Sequence, residues 1–359
     1  MRLDEVVAGI RPDDAEAKRA AIRRQQRLTK PPGSLGRLEE IAIQLAGIFG
    51  TEQPTARNTT VIVAAADHGV VAQGVTGYPQ AVTAQMVLNF LAGGAAVSVM
   101  ARGRGASLII VDAGVATPLP AHPDLRVVSA GRGTRDMTQG PAMTREQAEA
   151  CISAGVGFAL DAAEAGAHVI ATGDMGIGNT TAASAITAAL TGAPARLTTG
   201  RGTGRSDLEL EHKVACVERA LDVNRPHAAD GVDVLRTVGG FEIGVLAGVV
   251  LGGALARRAV MLDGFVSGAA GLIAQSLCPT VLDYLIAGHR SAEPGHRIAL
   301  NHLGLQPLLD LDMRLGEGTG ALLATGLVEI AAACLSDMAT FEEAGVSDRA
   351  PTDPTEAST

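Results

Sequence analysis

The chain has 359 residues, 47% hydrophobic and 19% charged, enough to bury a large core in one big domain with a smaller one beside it. A formal charge of −9 and only 2% aromatic residues exclude a generic nucleic-acid partner, which needs a basic face and stacking platforms, and disfavour an anionic membrane surface. The most apolar stretch, 243–256, is cut off by Arg257 and Arg258 before it reaches the roughly 18 residues of a membrane span, so no membrane partner is expected.

Acidic residues at Asp4, Glu5, Asp13 and Asp14 do not fit the charged-then-apolar layout of a signal peptide. Cys151, Cys216, Cys278 and Cys334 are too scattered for C-x-x-C chemistry and read as reduced thiols in the cytoplasm. Residues 11–30 have a charged helical pattern that stops at Lys30-Pro31-Pro32-Gly33-Ser34, where Ser34 is expected to N-cap a helix over 35–49.

From residue 60 onward one plan repeats: an apolar, mostly β-branched run, a polar tip, then small helix-forming residues. The runs at 60–66, 107–111, 169–172, 259–262 and 281–286 end at Asp67-His68-Gly69, Asp112-Ala113-Gly114, Gly173-Asp174, Asp263-Gly264 and Gly288-His289-Arg290-Ser291. Such alternation indicates βαβ units and a parallel sheet, with all five tips along its carboxyl edge, where ligands bind. An apolar helix carrying Gln85 is expected to follow Tyr78-Pro79-Gln80 and continue to Ala101, and 303–338 reads as mainly helical. The fold expected is α/β: a Rossmann-like parallel sheet flanked by helices over 51–302, a small helical subdomain from 1–50 with 303–346, and a disordered tail over 347–359.

The candidate chemistry lies at the tips and in three glycine-rich turns. Gly173-Asp174-Met175-Gly176-Ile177-Gly178-Asn179-Thr180-Thr181 runs into an Ala-rich helix, so backbone N–H groups, the Asn179 amide and the Thr180 hydroxyl can face a phosphate. No lysine follows the last glycine and the spacing is not G-x-G-x-x-G, which disfavours the kinase and dehydrogenase readings. Gly200-Arg201-Gly202-Thr203-Gly204-Arg205 precedes a helix over 207–221, on which Lys213 offers a cation to the same anion. Glu317, between Gly316 and Gly318 ahead of an apolar helix, is either a helix-end charge or a general base whose pKa burial raises. His68 and His289 are strand-tip histidines whose ordinary role is structural. No i, i+4 pair of histidines on a helix points to a metal, and none is assigned. A non-catalytic nucleotide-binding sensor would need the same two cradles.

These stretches together resemble the nicotinate-nucleotide–dimethylbenzimidazole phosphoribosyltransferase family of the cobalamin lower-ligand pathway. The similar segments are Lys30-Pro-Pro-Gly-Ser-Leu-Gly-Arg37, Ala66-Asp-His-Gly69, Tyr78-Pro-Gln80 with Val82-Thr83 and Gln85-Met86, Gly173 through Thr181, Gly200 through Gly204, Gly239-Gly-Phe-Glu-Ile243, Leu262-Asp-Gly-Phe265, Ala287 through His296, and Arg314-Leu-Gly-Glu-Gly-Thr-Gly320. The resemblance implies transfer of phosphoribose from nicotinate mononucleotide to 5,6-dimethylbenzimidazole or another base, without a cofactor, in a homodimer. It puts the base at Glu317 and the phosphoribosyl group against Asp174, Gly176, Gly178, Asn179, Thr180, Gly202, Gly204, Lys213 and Ser291. The acceptor slot falls to Tyr78, Gln80, Gln85 and Leu315. Family members often carry glutamate where this chain has Asp174.

Overall fold

The computed structural model describes residues 1–128, 130–202 and 206–347. Six strands, β1 (Thr59–Ala66), β2 (Ser107–Gly114), β3 (Leu125–Val127), β4 (Val169–Met175), β5 (Ala259–Leu262) and β6 (Leu285–Ala287), form one sheet in the order β3-β2-β1-β4-β5-β6. Every neighbouring pair is parallel. β1 is buried from Thr60 to its end, which explains its unbroken apolar run: a parallel strand covered by helices on both faces has no solvent side to mark with polar residues. Four of the five expected strands are present; of the fifth run, 281–286, only Leu285 and Ile286 enter β6, because a 3-10 helix that starts at Pro279 takes the chain as far as Tyr284, and β3 is an additional three-residue edge strand too short to leave a pattern.

The helices are α1 (Leu3–Gly9), α2 (Ala15–Gln25), α3 (Arg37–Phe49), α4 (Ala81–Leu91), α5 (Ala96–Arg104), α6 (Arg145–Glu164), α7 (Asn179–Thr191) and α8 (Ala195–Thr198). They continue as α9 (Asp207–Asn224), α10 (Gly231–Val238), α11 (Phe241–Leu255), α12 (Phe265–Leu277), α13 (Pro294–Leu303), α14 (Thr319–Asp337) and α15 (Phe341–Ala344).

The chain divides into two compact units. One comprises Met1–Pro12 and Arg57–Gly326; the other comprises 13–56 with the described residues from Leu327 onward. The boundaries therefore differ from those read off the sequence: α1 and residues 303–326 belong with the sheet. Residues 304–318 are not helical, because Gly304 turns with φ +67° and the segment then runs beside β6, Leu308 N–H donating to Ala287 O and Leu309 N–H to Gly288 O. The expected tail, 348–359, lies outside the described residues.

In the smaller unit, the Arg24 guanidinium donates to the carbonyls of Leu335, Ser336 and Met338, satisfying orphan acceptors at the end of α14. Ser34 does not cap α3. Gly36, with φ +52°, stands at the N-cap, and Glu39 reaches back to the N–H groups of Gly33 and Leu35 while pairing with Lys30 at 2.7 Å.

The helix expected to run to Ala101 instead breaks between α4 and α5, where Gly93 adopts φ +77°. By length and composition alone, 81–104 and Thr319–Asp337 are apolar enough to cross a membrane; a reading that stopped at 243–256 overlooks both. In α14, Ala321, Leu322, Ala324, Val328, Ala331, Ala332 and Leu335 are buried within the protein.

α6 and α11 pack closely at two glycines. A Cβ on Gly155 would lie 1.9 Å from Val245 O, and one on Gly248 2.0 Å from Ile152 O, so backbone meets backbone. Adding a methyl there has no side chain to displace. Gly155→Ala should lower stability by about 1–3 kcal/mol through overpacking. Gly157→Ala, on the same helix with nothing within 4 Å of the added carbon, should be neutral or stabilising by up to ~1 kcal/mol. Urea unfolding midpoints of the two variants check this.

Candidate active site

All five polar tips share the carboxyl edge, since every strand is parallel. A cavity of about 490 Å³ opens there, where the strand order reverses between β1 and β4. The segment after β1 supplies Val75, Tyr78, Val82 and Met86, and the segment after β4 supplies Met175 through Thr180. Asp174, Gly264, His289 and Ser291 bring the tips of β4, β5 and β6 to it. The other two tips lie elsewhere. His68 is sealed in a buried 2.7 Å contact with Glu242, and Asp112 lines a separate cavity with Pro118, His122 and Arg132.

Glu317 stands on the cavity wall, 3% exposed, in three successive left-handed residues: Gly316 at φ +83°, Glu317 at +64° and Gly318 at +87°. The turn is held from both sides. Glu317 N–H donates to Asp174 O at 3.1 Å, while the Asp263 carboxylate accepts from Gly318 N–H at 3.1 Å and Ala321 N–H at 2.8 Å. Gly173 permits the approach, because a Cβ there would sit 2.5 Å from Glu317 O. The break between α4 and α5 matters here as well: it frees the first N–H groups of α5, and Val97 N–H donates to Glu317 Oε2 at 3.4 Å.

Burial raises the Glu317 pKa, opposed only by that weak bond from Val97. Asp174 lies well above the ordinary carboxylate range, first through burial and then through the charges of Asp263, Glu242 and Glu317, although Asn179 Nδ2 donates to its Oδ2 at 2.8 Å. Burial pushes Asp263 up to about 7 despite its backbone donors. Burial lowers the His289 pKa, and its Nε2 lies 3.7 Å from Asp263 Oδ1.

Across the cavity lies the cationic side. Gly178, at φ +94°, is the N-cap of α7 and leaves Asn179 and Thr180 in its first turn. Lys213, 2% exposed on α9, donates to Thr180 Oγ1 at 2.8 Å and Gly200 O at 3.2 Å. α9 starts with a capping box between Ser206 and Glu209, a pattern legible in sequence. Gly202 and Ser291 also line the cavity. Gly204 lies outside the described residues.

Of the expected acceptor-slot residues, Tyr78 and Leu315 line the cavity mouth, 52% and 58% exposed. Gln80 and Gln85 do not line it. Val82 and Met86 take that place, because residues four apart share a face of α4 and Gln85 falls on the exposed one. Arg201, Glu293 and Arg314 also line the wall and were not singled out from sequence; their place beside Gly202 and Glu317 was the available signal. Among the described residues no group of three His, Cys, Asp or Glu side chains is placed to hold a metal.

Residues 10–346 match a family profile described as Phosphoribosyltransferase. The chain is 55% identical to the nicotinate-nucleotide–dimethylbenzimidazole phosphoribosyltransferase of Chloroflexus aggregans, over 97% of this chain and 98% of that one. It is 56% identical to the enzyme of the same name from Roseiflexus sp., again over 97% and 98%. The crystal structure of CobT from Thermus thermophilus superposes with a TM-score of 0.90 at 50% identity, covering 92% of this chain and 99% of that one. With a parallel sheet in the same arrangement and matches that run nearly end to end, this chain belongs to the nicotinate-nucleotide–dimethylbenzimidazole phosphoribosyltransferase family.

Proposed function

We propose that this chain transfers phosphoribose from nicotinate mononucleotide to 5,6-dimethylbenzimidazole with inversion at C1′, giving α-ribazole 5′-phosphate and nicotinate for assembly of the cobalamin nucleotide loop. The observation that carries the reading is a buried carboxylate, Glu317, set between an apolar wall and a helix-end anion site. One acceptor nitrogen attacks C1′ from the face opposite nicotinate. The C1′–N bond breaks with its electron pair passing to the pyridine nitrogen, which becomes neutral, so the leaving group demands neither a metal nor an acid. The acceptor's second nitrogen loses its proton to Glu317, and no separate cofactor enters the balance.

Each remaining site residue has a part in this reading. The N–H groups around Gly176 and Gly178 and the side chains of Asn179, Thr180, Lys213 and Ser291 hold the 5′-phosphate, with Gly202 lining the same end of the cavity, and so orient C1′ by proximity. Asp174 faces the ribosyl group, where its carboxyl, already bonded to Asn179 Nδ2, offers a hydrogen-bonding partner. Val82, Met86, Tyr78 and Leu315 hold the flat acceptor and exclude water. Met86 and Met175 are adaptable, and methyl contacts discriminate by only about 1–3 kcal/mol each, which supports acceptance of further bases. The exposure of Tyr78 and Leu315 at the cavity mouth supports a homodimer in which a second copy covers it. The free thiols of Cys151, Cys216, Cys278 and Cys334 suit a cytoplasmic setting.

Glu317→Gln should lower kcat by about 100-fold or more, the ordinary share of a general base, with the Kd for nicotinate mononucleotide changed little. Nicotinate release followed by chromatography, with calorimetric binding, reads both. Release of nicotinate at the wild-type rate from the variant would remove Glu317 from the role, and no release from the wild-type protein with both substrates present would reject the activity itself. The pH profile gives a second test. Glu317 accepts a proton only when ionised, and burial raises its pKa, so kcat/KM should fall as pH falls through a value above the usual 4.5 for glutamate. That limb, once the acceptor's own titration is accounted for, should be missing in Glu317→Gln.

A further inference from the structure

Gly202 is gripped at both of its polar backbone atoms by charged side chains from two other loops. Its N–H donates to Glu293 Oε1 at 3.0 Å, and its carbonyl accepts from Arg314 Nη1 at 3.2 Å. Glu293, 7% exposed, follows Ser291 and stands at the N-cap of α13; Arg314 precedes Glu317 by three residues. Lys213 holds Gly200 O, two residues before Gly202 in the same glycine loop. The loop that offers N–H groups to an anion is thus tied, through one guanidinium, to the turn that carries the carboxylate.

We propose that Glu293 and Arg314 form a clasp on Gly202 that makes the placement of Glu317 depend on occupancy of the 5′-phosphate site, with Arg314 as a positioning residue. The inference rests on the reaction proposed above. A phosphate takes no part in bond making at C1′, so its binding raises the rate only if it is converted into orientation at the reacting centre. That conversion requires a physical link. The path from Gly202 through Arg314, Leu315 and Gly316 to Glu317 provides it, ending in a turn whose other contacts, to Asp174 O and Asp263, are rigid strand-tip groups. Loss of the clasp leaves the anion site and the base intact but uncoupled.

The experiment compares two donors, nicotinate mononucleotide and nicotinate riboside, which lacks the phosphate, with dimethylbenzimidazole as acceptor and the full-length chain. Arg314→Met should lower kcat with the mononucleotide by about 10–100-fold, the scale expected for a misplaced group. Its calorimetric Kd for the mononucleotide should stay within about threefold, and kcat/KM for the riboside within about twofold. Arg314→Lys should restore part of the loss. Glu293→Ala should act in the same direction, and the double variant should be no worse than the poorer single one, because both break one linkage.

A raised Kd with unchanged kcat would show a direct phosphate contact and overturn the clasp. Equal losses with both donors would overturn it too, since dependence on the phosphate would be gone. If wild-type protein released nicotinate from neither donor, the underlying reaction would fall first, an outcome distinct from either.

Discussion

Asp263 is the fixed point of the site. A carboxylate at the end of β5 accepts the N–H groups of Gly318 and Ala321, and so fixes the start of α14 together with the turn before it. A non-glycine residue held in the left-handed region costs roughly 1–3 kcal/mol and persists only when its surroundings over-determine it. Here they do: Glu317 has Asp174 O on its own N–H, Asp263 on the N–H after it, and glycine on each side. The groups that oppose relaxation of its backbone belong to strand tips, while the link from Arg314 to Gly202 bears on the turn through Leu315 and Gly316.

The site separates charge. On one side stand Asp174, Asp263 and Glu317, none with a lysine or arginine in a hydrogen bond or ion pair among those described, and burial raises all three. On the other stand Lys213 and Arg201 with the N-terminus of α7, beside Glu293, whose carboxylate is taken up by Gly202 N–H. A substrate with a phosphate at one end and a positively charged ring at the other suits that polarity, and the reverse orientation would set anion against acid. The same division explains why the acids are left without cations: a salt bridge at Glu317 would lower its pKa and weaken it as a base.

The strands and glycine turns were legible because each is a local pattern, a continuous apolar run or a run of small residues. What escaped depended on partners distant in sequence. Ser34 looks like an N-cap, but Glu39 supplies the acceptor from inside the helix. Residues 304–318 carry an apolar pattern that suits a helix as well as the strand-like segment they form beside β6. Gln85, Val82 and Met86 sit in one motif, and only the turn of α4 decides that Val82 and Met86 face the cavity and Gln85 does not. Glu293 and Arg314 become visible only when Gly202 lies between them.

The interruption between α4 and α5 ties this chain's composition to its chemistry. Had 81–104 formed one unbroken helix, the N–H of Val97 would be committed within it, and the carboxylate of Glu317 would face an apolar helix side with no donor. A carboxyl group wholly without donors in such a place is pushed towards its protonated form. The single long bond from the start of α5 opposes the rise that burial imposes and leaves the pKa raised. Gly93 and Gly94, by ending α4, therefore leave Val97 N–H available to the base.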